Sequence, residues 1–82
     1  MRAGKAYRSR RVENMNIMHE VGETAGAVWN LLHQSGPQTL AQLKKKLNNR
    51  GELTNFAVGW LAREEKLDIL QEGKTFQVRL RD

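Results

Sequence analysis

Near Lys66 the hydrophobic period of this chain changes from 3.6 to 2, and that switch constrains what 82 residues can build. Before it, apolar residues recur at helical spacing. After it, they alternate. Leu67-Asp68-Ile69-Leu70 reads as a strand, and Gln71-Glu72-Gly73-Lys74 as a hairpin turn containing glycine. Thr75 to Arg81 reads as the return strand, with Phe76, Val78 and Leu80 on one face and Gln77, Arg79 and Arg81 on the other. A chain that is helical first and hairpin last is neither a pure bundle nor a sandwich.

Three helices are expected ahead of the hairpin. The first spans about Glu20 to Gln34, on the stripe Val21, Ala25, Val28, Trp29 and Leu32. Gly36-Pro37 stops it, because glycine suits a left-handed cap and proline cannot continue a helix. The second spans about Leu40 to Leu47. Thr39 and Gln42 have capping-box spacing, and Leu40, Leu43 and Leu47 form the inward row. Asn48-Asn49-Arg50-Gly51 reads as a turn. The third spans about Glu52 to Glu65, with Leu53, Phe56, Ala57, Trp60 and Leu61 expected inside. On this reading Trp29, Trp60, Phe56 and Phe76 are all core residues.

Charge is distributed unevenly. Arg2, Lys5, Arg8, Arg10 and Arg11 include no acid among them, and the chain's net charge is +5. Removing those five cations from the fourteen Lys and Arg leaves nine, matching the nine acids that follow, so residues 12–82 net zero. Residues 1–14 are polar and aperiodic, and are expected to form a basic disordered arm ahead of a domain at 15–82. Cysteine is absent, which removes disulfides and thiolate metal sites and fits a reducing compartment. No apolar run approaches the ~20 residues of a membrane span, so a cytoplasmic protein is expected.

Helix, helix, short turn, helix and hairpin within about 65 residues is the winged helix-turn-helix order: mainly α, with a two-stranded β wing (α+β). The run Gly59-Trp60-Leu61-Ala62-Arg63-Glu64-Glu65-Lys66-Leu67 resembles the end of a winged-helix third helix and the entry to its wing. Residues 15–82 also resemble a small prokaryotic family of stand-alone winged-helix domains, through Gly22-Glu23-Thr24-Ala25-Gly26-Ala27-Val28-Trp29 and Ala57-Val58-Gly59-Trp60-Leu61-Ala62-Arg63-Glu64. In most winged helices the Glu65-Lys66 position holds a glycine, so this chain departs from the pattern there.

The resemblance implies binding to double-stranded DNA, as in a minimal transcriptional regulator. On the outward face of the third helix, Asn55 has the chemistry to pair bidentately with adenine, and Thr54 to touch a thymine methyl or a phosphate. Lys44, Lys45, Arg50, Lys74, Arg79 and Arg81 are candidate phosphate contacts, and Arg63, at the end of the outward face, is a further DNA-binding candidate. The basic arm would add nonspecific affinity. The alternative is a protein-interaction module, most simply a homodimer without sequence-specific DNA binding, using Ile17 and Met18 or the small patch Val58, Gly59 and Ala62. Gly59 interrupts a helix at a cost of about 1 kcal/mol relative to alanine. It reads equally as a close approach to DNA, a close approach to a partner helix, or a tolerated surface residue. His19 and His33 are too far apart on one helix to share a metal. No catalytic set, cofactor motif or small-molecule site is apparent, so no enzyme activity is expected.

Overall fold

The computed structural model describes residues 2–48 and 51–81, with side chains described from residue 17 onward. The elements follow in the order α1 (Arg2–Ser35), β1 (Gln38–Thr39), α2 (Leu40–Leu47), α3 (Gly51–Arg63), β2 (Leu67–Glu72) and β3 (Thr75–Leu80). Three helices pack on a small antiparallel sheet of strand order β1-β3-β2. This is the winged-helix α+β architecture.

Helix α1 begins at Arg2, about eighteen residues earlier than its apolar stripe suggests. The segment expected to be a disordered arm is therefore helical in its backbone. Residues 2–16 include four Arg and two Ala, good helix formers, and contain no proline. Extending an existing helix also avoids the nucleation cost that an isolated segment would meet. At 1.5 Å per residue its 34 residues span about 51 Å. The molecule measures 49 × 25 × 24 Å, so α1 alone sets its long axis.

The local stop signals act as expected. Gly36 has φ +81° and donates its N–H to the Leu32 carbonyl at 2.9 Å, closing α1. At the start of α2 the Gln42 amide donates to Thr39 Oγ1 at 3.1 Å, and the Thr39 amide donates to Gln42 Oε1 at 2.9 Å. That reciprocal pair is a capping box. Asn48 ends α2 with φ 53°, its N–H donating to the Lys44 carbonyl.

Between Pro37 and α2 the chain is extended for two residues and forms β1, pairing Gln38 with Val78 and Thr39 with Gln77. The expected two-stranded wing is thus the larger part of a three-stranded sheet. A two-residue strand is too short for alternation to reveal it. Strands β2 and β3 pair from Leu67↔Leu80 to Glu72↔Thr75, leaving only Gly73-Lys74 as the loop. Gly73 supplies the positive φ (62°) that a tight hairpin of this hand requires.

The core is formed by Ala25, Val28 and Leu32 of α1, Leu43 of α2, Ala57, Val58 and Leu61 of α3, and Leu67 and Val78 of the sheet. All four large aromatics expected inside lie largely outside it: Trp29 is 38 % exposed, Phe56 55 %, Trp60 51 % and Phe76 40 %. The cause in α3 is a rotation of its buried stripe. Leu53, Thr54, Ala57, Val58 and Leu61 face inward, rather than Leu53, Phe56, Ala57, Trp60 and Leu61. The helix must pack against α1 on one flank and the sheet on the other. Val58 lies on the sheet side beside Ile69, Phe76 and Val78, Thr54 is buried, and the bulky Phe56 and Trp60 are left exposed. Phe76 and Ile69 point to the helix side of the sheet, as Val78 does, but lie toward the hairpin tip, where helix cover runs out.

Candidate nucleic-acid and protein interfaces

Two surfaces flank α3. On the wing side, an apolar hollow is lined by Leu40, Asn55, Val58, Gly59, Ile69, Phe76 and Val78. On the α1 side, Trp60 shares one groove with Gly22, Gly26 and Trp29, and another with Met18 and Val21. Phe56 sits beside Ile17 in a third. Positions 55 and 59 therefore look toward the wing, and 56 and 60 toward α1.

Of the residues expected to read DNA from α3, Asn55 is exposed and lines the wing-side hollow. Thr54 is fully buried at 0 % exposure and is excluded as a base or phosphate contact. The same rotation that turns Phe56 outward turns Thr54 inward. Arg63 stands exposed in the last turn of α3. Arg50 lies outside the described residues. The exposed side of α3 is Glu52, Asn55, Phe56, Gly59, Trp60 and Arg63, with Asn55 the one amide among them and the one cation, Arg63, in the last turn.

The lysines of α2 and the wing are better placed. Lys44 and Lys74, thirty positions apart in sequence, line one cleft with Thr39, Leu40, Ala41, Thr75 and Phe76. Lys44 is half-buried, and its stem runs past Gly51, where an added Cβ would lie 3.7 Å from its Cδ. That arrangement keeps the aliphatic part packed and the ammonium at the surface. Thr75 is fixed at the hairpin, its hydroxyl donating to the Glu72 carbonyl at 2.9 Å. Lys45 and Lys46 are exposed on the same helix. Each lysine was legible in the sequence, but their convergence depends on how the hairpin folds back over α2.

The arginines of β3 are engaged elsewhere. Arg79 lies 3.8 Å from Asp68, and Arg81 lies 3.8 Å from Asp68 and 3.9 Å from Glu65. These exposed pairs contribute little stability but offset the positive charge of that strand face. The backbone of Arg2, Lys5, Arg8, Arg10 and Arg11 lies on the first turns of α1.

Among the residues expected at a protein interface, Ile17 and Met18 are 37 % and 67 % exposed. Gly59 is exposed, with no atom within 4 Å of where its Cβ would stand. Val58 is a correction, because at 3 % exposure it belongs to the core. Ala62 is partly buried and packs against that core. The sequence reading also missed the stack of His33 on Trp29, with ring centroids 4.8 Å apart at 13°. Their i,i+4 spacing on α1 was the available signal. His19 pairs instead with Glu23, at 3.1 Å on the exposed side of α1. Among the described residues no group of three metal-ligating side chains comes together, and no helix is long and apolar enough to cross a membrane.

The sequence pattern of the winged helix-turn-helix domain DUF2582 matches residues 15–80. The chain belongs to this family. It is also 38 % identical over 65 residues to "Uncharacterized protein MJ1608" of Methanocaldococcus jannaschii, an alignment covering 76 % of this chain and 91 % of that protein. No solved structure matches the chain significantly. The part of α1 before residue 15, with its five cations, precedes the stretch that matches the DUF2582 pattern.

Proposed function

We propose that this DUF2582 protein binds double-stranded DNA, in a binding rather than a catalytic role, and holds the duplex chiefly by its phosphates. The observation that carries this is the convergence of Lys44 and Lys74 on one cleft beside two threonines. Two cations so arranged on a rigid helix and hairpin suit a phosphate backbone, and the Thr39 hydroxyl, which only accepts from the Gln42 amide, keeps its proton to donate. The outward side of α3 supports little base reading beyond Asn55. The binding is therefore weakly selective and strongly salt-dependent. The five cations on the first turns of α1 add to the attraction without adding sequence information.

A fluorescence-anisotropy titration of a short random duplex over a range of salt tests this. Each phosphate contact adds about 0.9 to the slope of log affinity against log salt, so Lys44→Ala with Lys74→Ala lowers the slope by about 2. Replacing Arg8, Arg10 and Arg11 with alanine lowers it separately. No salt-dependent binding, or an unchanged slope in the lysine double variant, would remove the cleft from any role in DNA binding.

A second reading, docking of another protein, is favoured by a different observation. The α1–α3 side exposes Ile17, Met18, Trp29, Phe56 and Trp60 in one neighbourhood. Contiguous apolar surface of this extent on a small domain marks an interaction site.

A further inference from the structure

We infer that the α1–α3 face is the interface of a two-fold homodimer, an inference that rests on the protein-docking reading above and names its partner. The five side chains form a continuous row across two helices. Ile17 lies beside Phe56, Met18 beside Trp60, and Trp60 across a groove from Trp29. The groove is open to solvent and has a volume of about 390 Å³. Its floor includes Gly22 and Gly26, one helical turn apart, and no atom lies within 4 Å of where either Cβ would stand. One face therefore carries both protruding aromatics and a hole wide enough to take one.

That combination selects a second copy as the occupant. Two-fold symmetry sets the same patch on both partners, so an aromatic entering the groove of one copy is matched by its equivalent entering the other. The charges also permit it. Among the residues lining the three grooves only Lys66 and Glu52 are charged, one of each sign, so two copies meet with little like-charge repulsion. The area is sufficient. Three half-exposed aromatics with Ile17 and Met18 offer roughly 500–600 Å² per copy. A standard interface takes about 800 Å² from each partner, so these five side chains make up most of one, with exposed neighbours on α1 and α3 such as Gly22 and Gly26 at its edge.

The test uses the full chain and two readouts over a concentration series from low to high micromolar. Sedimentation velocity gives the mass. Tryptophan emission reports the interface directly, because Trp29 and Trp60 are the chain's two tryptophans. The expected result is a dimer whose emission shifts to the red on dilution, in step with dissociation. Trp60→Glu weakens it by roughly thirtyfold or more, the loss expected of a hot-spot residue. Leu70→Ser, at an exposed apolar residue of β2 that lines none of these grooves, leaves it unchanged. If Trp60→Glu fails to fold, the wild-type emission series still decides. A dimer whose emission does not move with concentration places the interface elsewhere and overturns the inference. A monomer throughout overturns the second copy as occupant. The broader docking reading falls separately, if acrylamide quenching finds both indoles shielded in the monomer, since no open apolar face then exists.

Discussion

Glu65 occupies a position built for glycine. Its φ is 61°, in the left-handed region. The Lys66 amide donates to the Leu61 carbonyl at 2.9 Å, and the Glu65 amide donates to the Ala62 carbonyl at 3.0 Å. These two bonds make a Schellman motif at the end of α3, with Glu65 at the residue that is usually glycine. A side chain there costs roughly 1–2 kcal/mol by crowding its own carbonyl. Glycine would remove that strain and return about 0.4–1 kcal/mol as extra entropy of the unfolded chain. The 3.9 Å pair with Arg81 would also be lost. With those side chains 51 % and 76 % exposed, it contributes little. The expected outcome of Glu65→Gly is a gain of about 0.5–1 kcal/mol, or about 3–6 °C in Tm for a domain this size. Urea unfolding followed by circular dichroism at fixed protein concentration measures it, as a higher midpoint at unchanged slope. Glu65→Ala is the control, because it removes the ion pair and keeps the Cβ. If the glycine variant is no more stable than the alanine variant, the strain argument is wrong.

Two further outcomes follow from local geometry. Thr39→Ala removes one half of the α2 capping box and lowers stability by about 1 kcal/mol in the same urea assay. Val58→Asp places an unpaired charge in the core and abolishes cooperative unfolding, whereas Gly59→Asp, one residue on, shifts the midpoint by less than about 1 kcal/mol. Equal effects at 58 and 59 would contradict the observed rotation of α3.

Most of the fold was legible because its signals are local. The Thr39–Gln42 box, the Gly36-Pro37 stop and the alternation after Lys66 each depend on neighbours in sequence, and each took the expected form. Legibility failed where packing partners decide. Along α3, Leu53, Ala57 and Leu61 can be joined at helical spacing by Phe56 and Trp60 or by Thr54 and Val58. Hydrophobicity favours the aromatics, but the folded chain buries the smaller pair and leaves the aromatics exposed. Gly59 and the emptiness around it were consistent with either orientation. The start of α1 was misjudged for a related reason. Apolar periodicity reports where a helix packs, not how far its backbone continues beyond the packed part.

The rotation of α3 also settles how the two proposed activities relate. Had Phe56 and Trp60 faced inward, Thr54, Val58 and Gly59 would have formed a single outward surface, and a dimer through it would have blocked DNA. Instead α3 divides its exposure: Phe56 and Trp60 turn toward α1, while Asn55 and Gly59 turn toward the wing. The lysine cleft shares Leu40 and Phe76 with the wing-side hollow and no residue with the α1-side grooves. A two-fold pairing through α1 and α3 therefore leaves both lysine clefts open. If the dimer and the lysine clefts act as proposed, two clefts on one body would engage one duplex with an effective concentration that a monomer lacks. Trp60→Glu should then weaken DNA binding severalfold without touching a phosphate contact. Its single-copy salt slope should match that of one wild-type cleft. If Trp60→Glu dissociates the dimer and DNA affinity does not change, the two faces work independently and the duplex needs only one copy.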